Sequence, residues 1–351
     1  MSVQPRVLDP AALGSLVLQA DHWRRSPASV GGPAGHKEWS HFCVFGEDLD
    51  LLINLSLMDG FGGIETPRLT LLMRESGGEW SGDVDTYVAS ELEIDEGGVD
   101  LCMGPNTLRF RNGAYELDVR LARRSIRARL RLELASRPAL TTSVPLSDGA
   151  GMRWFVVPRL VASGTVAREG RRTQLDRAPA YHDHDWGSFG WGGDFSWEWG
   201  IALAEGAVPW TLVFQRISDR GRLRTLSQGV LLWRGDRHLR TLHGPELSVR
   251  CEGRTSAAGA LRVPRIMSLV SPGRAADLPR RIVVEARRGA DALHVALELG
   301  DLAQIAIPND VARGATIVSE VRSSATVEGV VRGEPVRFEG PALVELNRAD
   351  A

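Results

Sequence analysis

Apolar and polar residues alternate along most of this chain with a period of two, and the runs that carry the alternation are short. Ala114–Leu121 (AYELDVRL) puts Tyr115, Leu117, Val119 and Leu121 on one face. Ser125–Leu134 (SIRARLRLEL) puts Ile126, Ala128, Leu130, Leu132 and Leu134 on one face and arginines with Glu133 on the other. That is a strand with one wet face. Asp50–Met58 and Glu65–Arg74 are apolar runs of strand length, separated by the turn signal Asp59-Gly60-Phe61-Gly62-Gly63. The same reasoning predicts strands over Arg153–Val166, Ser196–Ala204, Trp210–Ile217, Gln228–Arg234, Glu246–Cys251, Arg281–Ala286, Leu293–Leu299, Ala303–Ile307, Ile317–Val321, Val336–Phe338 and Ala342–Leu346. Helical periodicity is confined to the short stretch Pro10–Ala20.

Many short strands at regular spacing predict an all-β protein of sandwiches or barrels. About twenty strands exceed one small barrel, so two β domains are expected. The least strand-like span, Ala167–Pro179 (AREGRRTQLDRAP), suggests a division into residues 1–172 and 173–351. The halves have similar length and strand density but no exact internal repeat. Clefts between domains tend to bind ligands, which directs attention to the seam.

Composition narrows the function by exclusion. At 351 residues with a net charge of −2 and scattered arginines, the chain has no electrostatic footprint for nucleic acid. Lys37 is its one lysine, as a GC-rich genome favours. Cys43, Cys102 and Cys251 stand far apart, so neither a disulfide framework nor a Cys-x-x-Cys metal site is expected. The apolar run Ala11–Leu18 lacks a basic flank and a cleavage signature, and no run approaches spanning length. A cytoplasmic protein without stable membrane insertion is the expectation. Its oligomeric state is left open.

Chemistry concentrates in Tyr181-His182-Asp183-His184-Asp185-Trp186-Gly187 and the following Trp191, Trp197, Glu198, Trp199 and Gly200. Half of the ten tryptophans lie between Trp186 and Trp210. Extended backbone puts Tyr181, Asp183 and Asp185 on one face, and His182, His184 and Trp186 on the other. Trp197, Trp199, Ile201 and Leu203 likewise share a face. A metal at His182 and His184 fits poorly. A cupin places a glutamate about four residues later, where Asp185–Ser188 stands, and Trp186 replaces the last histidine of a His-x-His-x-Asp-His motif. Nucleophilic hydrolysis finds no Gly-x-Ser-x-Gly elbow. Acid catalysis on an alkene fits better: a carboxyl buried among indoles keeps its proton at neutral pH, and indole faces stabilise the cation that forms. The plainer alternative is a tryptophan-rich core with Asp185 capping a turn. A second group, His36-Lys37-Glu38-Trp39-Ser40-His41-Phe42, offers Glu38 or His41 to the same pocket, and Asn54 is a polar residue in mid-strand.

Tyr181–Gly187, with the Trp197-Glu198-Trp199-Gly200 strand behind it, resembles the Tyr-x-Asp-His-Asn-Trp-Gly signature of the carotenoid 1,2-hydratase (hydroxyneurosporene synthase) and AttH-like family. Glu65-Thr66-Pro67-Arg68-Leu69 and Gly340-Pro341-Ala342-Leu343-Val344-Glu345 are also similar to it. The resemblance implies two lipocalin-like (calycin-type) β domains in tandem with the site at their interface, and relatives that hydrate isoprenoid double bonds or act as cyclases and Diels–Alderases. It maps the family tyrosine to Tyr181 and the proton-donating aspartate to Asp183. Two departures stand out: Asp185 replaces the asparagine, and Met152 replaces the histidine of a His-x-Trp, with Trp154 kept.

The expectation is therefore a cofactor-independent cyclase or hydratase acting on a hydrophobic polyene, terpenoid or polyketide, with no metal. Asp183 is the expected acid, Tyr181 its hydrogen-bond partner and His184 the residue that orients the pair. Trp154, Trp186, Trp197, Trp199, Glu38 and His41 are expected to line the pocket. A pericyclase that folds its substrate, and a lipocalin-like carrier without catalysis, are the alternatives.

Overall fold

The computed structural model describes residues 10–24, 35–59, 65–95, 97–141, 144–146, 150–270 and 278–349. Gly60–Gly63 of the expected turn lie outside the described residues. Almost all regular structure is strand, in two sheets of 13 and 10 strands that are antiparallel except where Leu261–Val263 runs parallel to Asp291–Pro308. The expected helix is present over Pro10–Ala20, and its Val17 enters the core of the first half. Among the described residues no helix is long and apolar enough to cross a membrane.

The two sheets share one connectivity. In the first, four strands run as a meander outward from His36–Phe45 through Leu49–Asp59 and Glu65–Glu75 to Trp80–Thr86. On its other side His36–Phe45 pairs with Arg171–Ser188, from which the sheet continues through Gly151–Arg168, Ile126–Leu134 and Ala114–Leu121. The second sheet repeats this order: Ser196–Ala204 starts an outward meander and pairs on its other side with the last strand, Glu334–Ala349. Each sheet folds over so that its two arms enclose one core, Ile53 and Leu71 with Tyr115 and Leu130 in the first, Phe214 and Leu232 with Val295 and Val327 in the second.

A third apolar cluster lies between the sheets and draws on both, from Trp39, Trp154 and Tyr181 to Trp197, Trp199, Ile201 and Leu343. This seam explains a difference in pattern. Ile126–Leu134 buries alternate residues, whereas every residue of Ser196–Ala204 is buried, because one face meets its own core and the other meets the seam. Arg171–Ser188 changes character along its length. Arg171, Arg172, Asp176 and Arg177 are exposed, and Ala180 through Trp186 are all buried.

The charged span Ala167–Pro179 is therefore a correction to the sequence reading. It is not a loop but the tip and one flank of a long hairpin, Gly151–Arg168 with Arg171–Ser188, turned at Glu169 (φ 50°) and Gly170 (φ 84°). Two consecutive positive-φ residues match the twist of the flanking strands, and the charges mark a wet strand face. The change from one sheet to the other falls between Ser188 and Ser196. Leu293–Leu299 and Ala303–Ile307 are likewise one strand, Asp291–Pro308, with a register shift between Leu299 and Leu302. Asn106–Arg111 and Arg237–His243 are strands that the pattern does not predict.

Candidate active site

Three neighbouring strands carry the site. His36–Phe45 lies against Arg171–Ser188 with His41 opposite Asp183 and Trp39 opposite Asp185, and on the other side Trp154 stands opposite Asp185. The pairing is close at Gly187, where a Cβ would stand 2.3 Å from the Gly151 carbonyl oxygen and 2.8 Å from Met152 Cα. Only glycine permits that approach, which accounts for the Trp-Gly that ends the motif.

The pleat sorts the motif as its period requires. Tyr181, Asp183 and Asp185 face the seam, where the Tyr181 hydroxyl donates to Asp183 Oδ2 at 2.8 Å. Asp183 Oδ1 is buried and has no hydrogen-bond partner. A compartment of about 40 Å³ lies beside the two aspartates, lined by Trp39, His41, Met152, Trp154, Trp197, Trp199 and Glu345 among others. The Trp154 indole nitrogen lies near Asp183 without forming a well-placed hydrogen bond. A chamber of about 260 Å³ shares Trp39, Trp197 and Glu345 with this compartment. A wider cleft of about 1140 Å³ elsewhere contains none of these groups, and its Asp83 is already paired with Arg124.

Four carboxyls meet here: Asp183 and Asp185 from the first sheet, Glu320 and Glu345 from the second. Burial pushes Asp183 up to about 7, against the pull of the Tyr181 hydrogen bond and with the help of the neighbouring Glu345 charge. Burial raises Asp185, Glu320 and Glu345 too. Repulsion from the Asp183 charge raises Asp185, and repulsion from Glu345 raises Glu320, which stands opposite it on a paired strand, so each pair resists losing its last proton. The Trp197 indole N–H donates to Glu345 Oε1. His41, held neutral by burial with its pKa down at about 3, contacts the Cys43 thiol through Nε2 at 3.2 Å. Donor atoms of His41, Glu320 and Glu345 lie within 4.8 Å of one another, a spacing that suits a cation as well as shared protons.

His184, Glu38 and Trp186 do not join this compartment, which corrects their expected places. The two-residue pleat turns them to the inner face of the first sheet. There His184 Nδ1 contacts Asp21 Oδ1 at 2.7 Å and its Nε2 contacts Glu38 Oε1 at 2.9 Å. Burial opposes a charge on His184, but the two carboxylates outweigh it and hold the pKa at about 9. Asp21 also accepts from Tyr115 at 2.5 Å and contacts His182 Nε2 at 3.0 Å. Burial would raise Asp21, yet its histidine partners hold it well below the ordinary carboxylate range. Trp186 stacks under the Arg24 guanidinium, 3.5 Å from the ring centroid. His184 therefore points to the opposite face of Arg171–Ser188 from Asp183.

Sequence reasoning misses Glu320 and Glu345 as site residues. A signal for them exists, since each is an acid in mid-strand between apolar stretches, Val318-Ser319-Glu320-Val321 and Leu343-Val344-Glu345-Leu346. Asp21 has no such mark.

No family model matches the chain, and no curated protein matches it in sequence. Solved structures do match, at the level of fold. A protein of Nitrosomonas europaea that bears the name AttH is 14% identical, with a TM-score of 0.63 over 89% of this chain and 92% of its own. Kievitone hydratase of Nectria haematococca is 13% identical, with a TM-score of 0.58 over 92% and 90%. CghA in its structure with Sch210972 is 13% identical, with a TM-score of 0.62 over 91% and 90%. The all-β, tandem lipocalin-like architecture implied by the signature is thus the architecture of the chain.

Proposed function

We propose that this chain is an enzyme of the lyase or isomerase type that protonates a carbon–carbon double bond of a hydrophobic polyene, terpenoid or polyketide, and that the substrate then closes a ring on the cation. One observation carries the reading: Asp183 Oδ1 is buried, unpartnered and set beside an indole-walled compartment. The proton passes from the Asp183–Asp185 pair to one alkene carbon, whose π electrons form the new C–H bond. The cation left on the other carbon faces indoles whose quadrupoles stabilise it. An internal alkene or oxygen attacks it, and loss of a proton to the carboxylate restores the acid. The step needs nothing beyond the chain's own residues and the substrate.

A fold shared with a hydratase supports this class of chemistry. Met152 lines the compartment where the resembling family has a histidine, which favours cyclisation over attack by water. The compartment's small volume favours it too, since water exclusion protects a cation from quenching.

Turnover in D2O with mass spectrometry of the product tests the proposal: one deuterium should appear at a former alkene carbon. Asp183→Asn should lower kcat by about 100-fold or more. A pericyclase would lose little and take up no deuterium, and a carrier would return its ligand unchanged.

A further inference from the structure

The chamber of about 260 Å³ has two unlike walls. One is built from Leu49–Asp59, Glu65–Glu75 and Trp80–Thr86, where Asn54 pairs with Thr70, and Arg68 pairs with Ser56 and Thr86, so their polar side chains converge on one patch. The other comes from the second half and is apolar, with Ile266, Met267, Ile305, Ile307 and Val318. Arg68 is the only basic residue lining the chamber among the described residues. Its Nε is buried without a hydrogen-bond partner, and no carboxylate forms an ion pair with it among the described residues. Asp310, whose charge acts on Arg68, is already engaged by Lys37 at 3.1 Å. Burial lowers the pKa of the guanidinium from its ordinary value, as expected for a cation short of compensating charge.

A half-buried guanidinium with no ion-pair partner among the described residues, set in a polar patch that faces an apolar wall, is a ready partner for an anionic group on a ligand. Glu320 and Glu345 also line the chamber and disfavour an anion beside them, and neither acts on Arg68, whose one charged neighbour is Asp310. Glu345 lines both this chamber and the compartment that holds Asp183, so the acidic part of the chamber is the part that adjoins Asp183.

We infer that the chamber takes a substrate with one anionic oxygen group, a carboxylate or an acidic enol, held by Arg68 beside Asn54 and Thr70, with its apolar body directed toward Trp197 and the carboxyls. This deepens the cyclase reading by naming the head group, and it rests on that reading only for what happens at the far end. Arg68 is a specificity-determining residue in this scheme: it fixes which end of the substrate meets the acid.

The test is binding of cis-parinaric acid and its methyl ester at pH 8, followed by the rise in probe fluorescence. The native protein should prefer the acid by about tenfold or more, as a charge-assisted fork to a carboxylate implies. Arg68→Met should bring the acid down to the ester's affinity and leave the ester unchanged, and Arg68→Lys should keep part of the preference. Asp183→Asn should keep all of it, so a failure of acid catalysis leaves this result standing. Equal affinities in the native protein, which needs no variant to fold, would overturn the inference. So would an undiminished preference in Arg68→Met.

Discussion

His41 and Asp183 stand directly opposite each other on adjacent antiparallel strands, and both face the seam. One is a histidine stripped of its charge by burial, and the other a carboxyl that burial keeps protonated. The usual roles of these residue types are exchanged. In the proposed reaction the carboxyl is the acid, and the neutral imidazole can only hold position or accept a proton.

Because the acid works in its protonated form, activity is expected below the Asp183 pKa of about 7 and lost above it. The rate should fall about tenfold for each pH unit on the alkaline side. An infrared titration of the protonated carboxyl bands, taken as the difference between the native protein and Asp183→Asn, locates the same transition without substrate. A band that vanishes in the ordinary carboxylate range contradicts the assignment.

Two neighbours should move that transition in opposite directions. Tyr181 stabilises the carboxylate through its hydrogen bond, so Tyr181→Phe should shift the alkaline limb to higher pH. Glu345 repels the carboxylate, so Glu345→Gln should shift it to lower pH. The pH–rate profile and the infrared titration should agree for both variants. Shifts of the same sign would mean that some group other than Asp183 is titrating.

Stability should decline on the alkaline side through His184. Its folded pKa of about 9 lies above the ordinary 6.5, so the stabilisation is complete below 6.5 and disappears as pH rises through 9. The difference corresponds to about 3 kcal/mol by linkage, an order-of-magnitude figure. Urea melts of native protein and His184→Gln between pH 6 and 10 should converge at the alkaline end. Parallel curves across that range would contradict it. Asp21 works with the opposite sign: its depressed folded pKa gives stability that is present above the ordinary 3.8 and lost in acid, so Asp21→Asn should flatten the acid limb.

Gly187→Ala should cost about 1–3 kcal/mol, the usual penalty for forcing atoms into a packed site. Its Cβ would meet backbone of the facing strand, which cannot swing aside as a side chain can. Calorimetry should show a lower Tm. An unchanged Tm would mean that the strands part more easily than their pairing suggests.

The strand period is legible in the residues themselves, and it sorts Tyr181, Asp183 and Asp185 from His182, His184 and Trp186 correctly. It does not tell which face of Glu38 or His41 meets the site, because both faces of His36–Phe45 are buried and the polar–apolar contrast that orients a strand is missing. Nor does alternation identify partners from remote sequence. Asp21 reaches His182 and His184 across 161 and 163 residues, and only tertiary closure brings them together. The long hairpin at Ala167–Pro179 is hidden for a different reason: a solvated strand face rich in arginine reads like a loop.

The four carboxyls come two from each sheet, on either side of the stretch between Ser188 and Ser196. A chain severed in that stretch yields two fragments, each with a pair of acids open to water and ionised at neutral pH. Mixing them would then switch on proton delivery only as fast as the fragments reassociate. In the proposed reaction, catalysis is in that sense a readout of contact between the two halves of a single polypeptide.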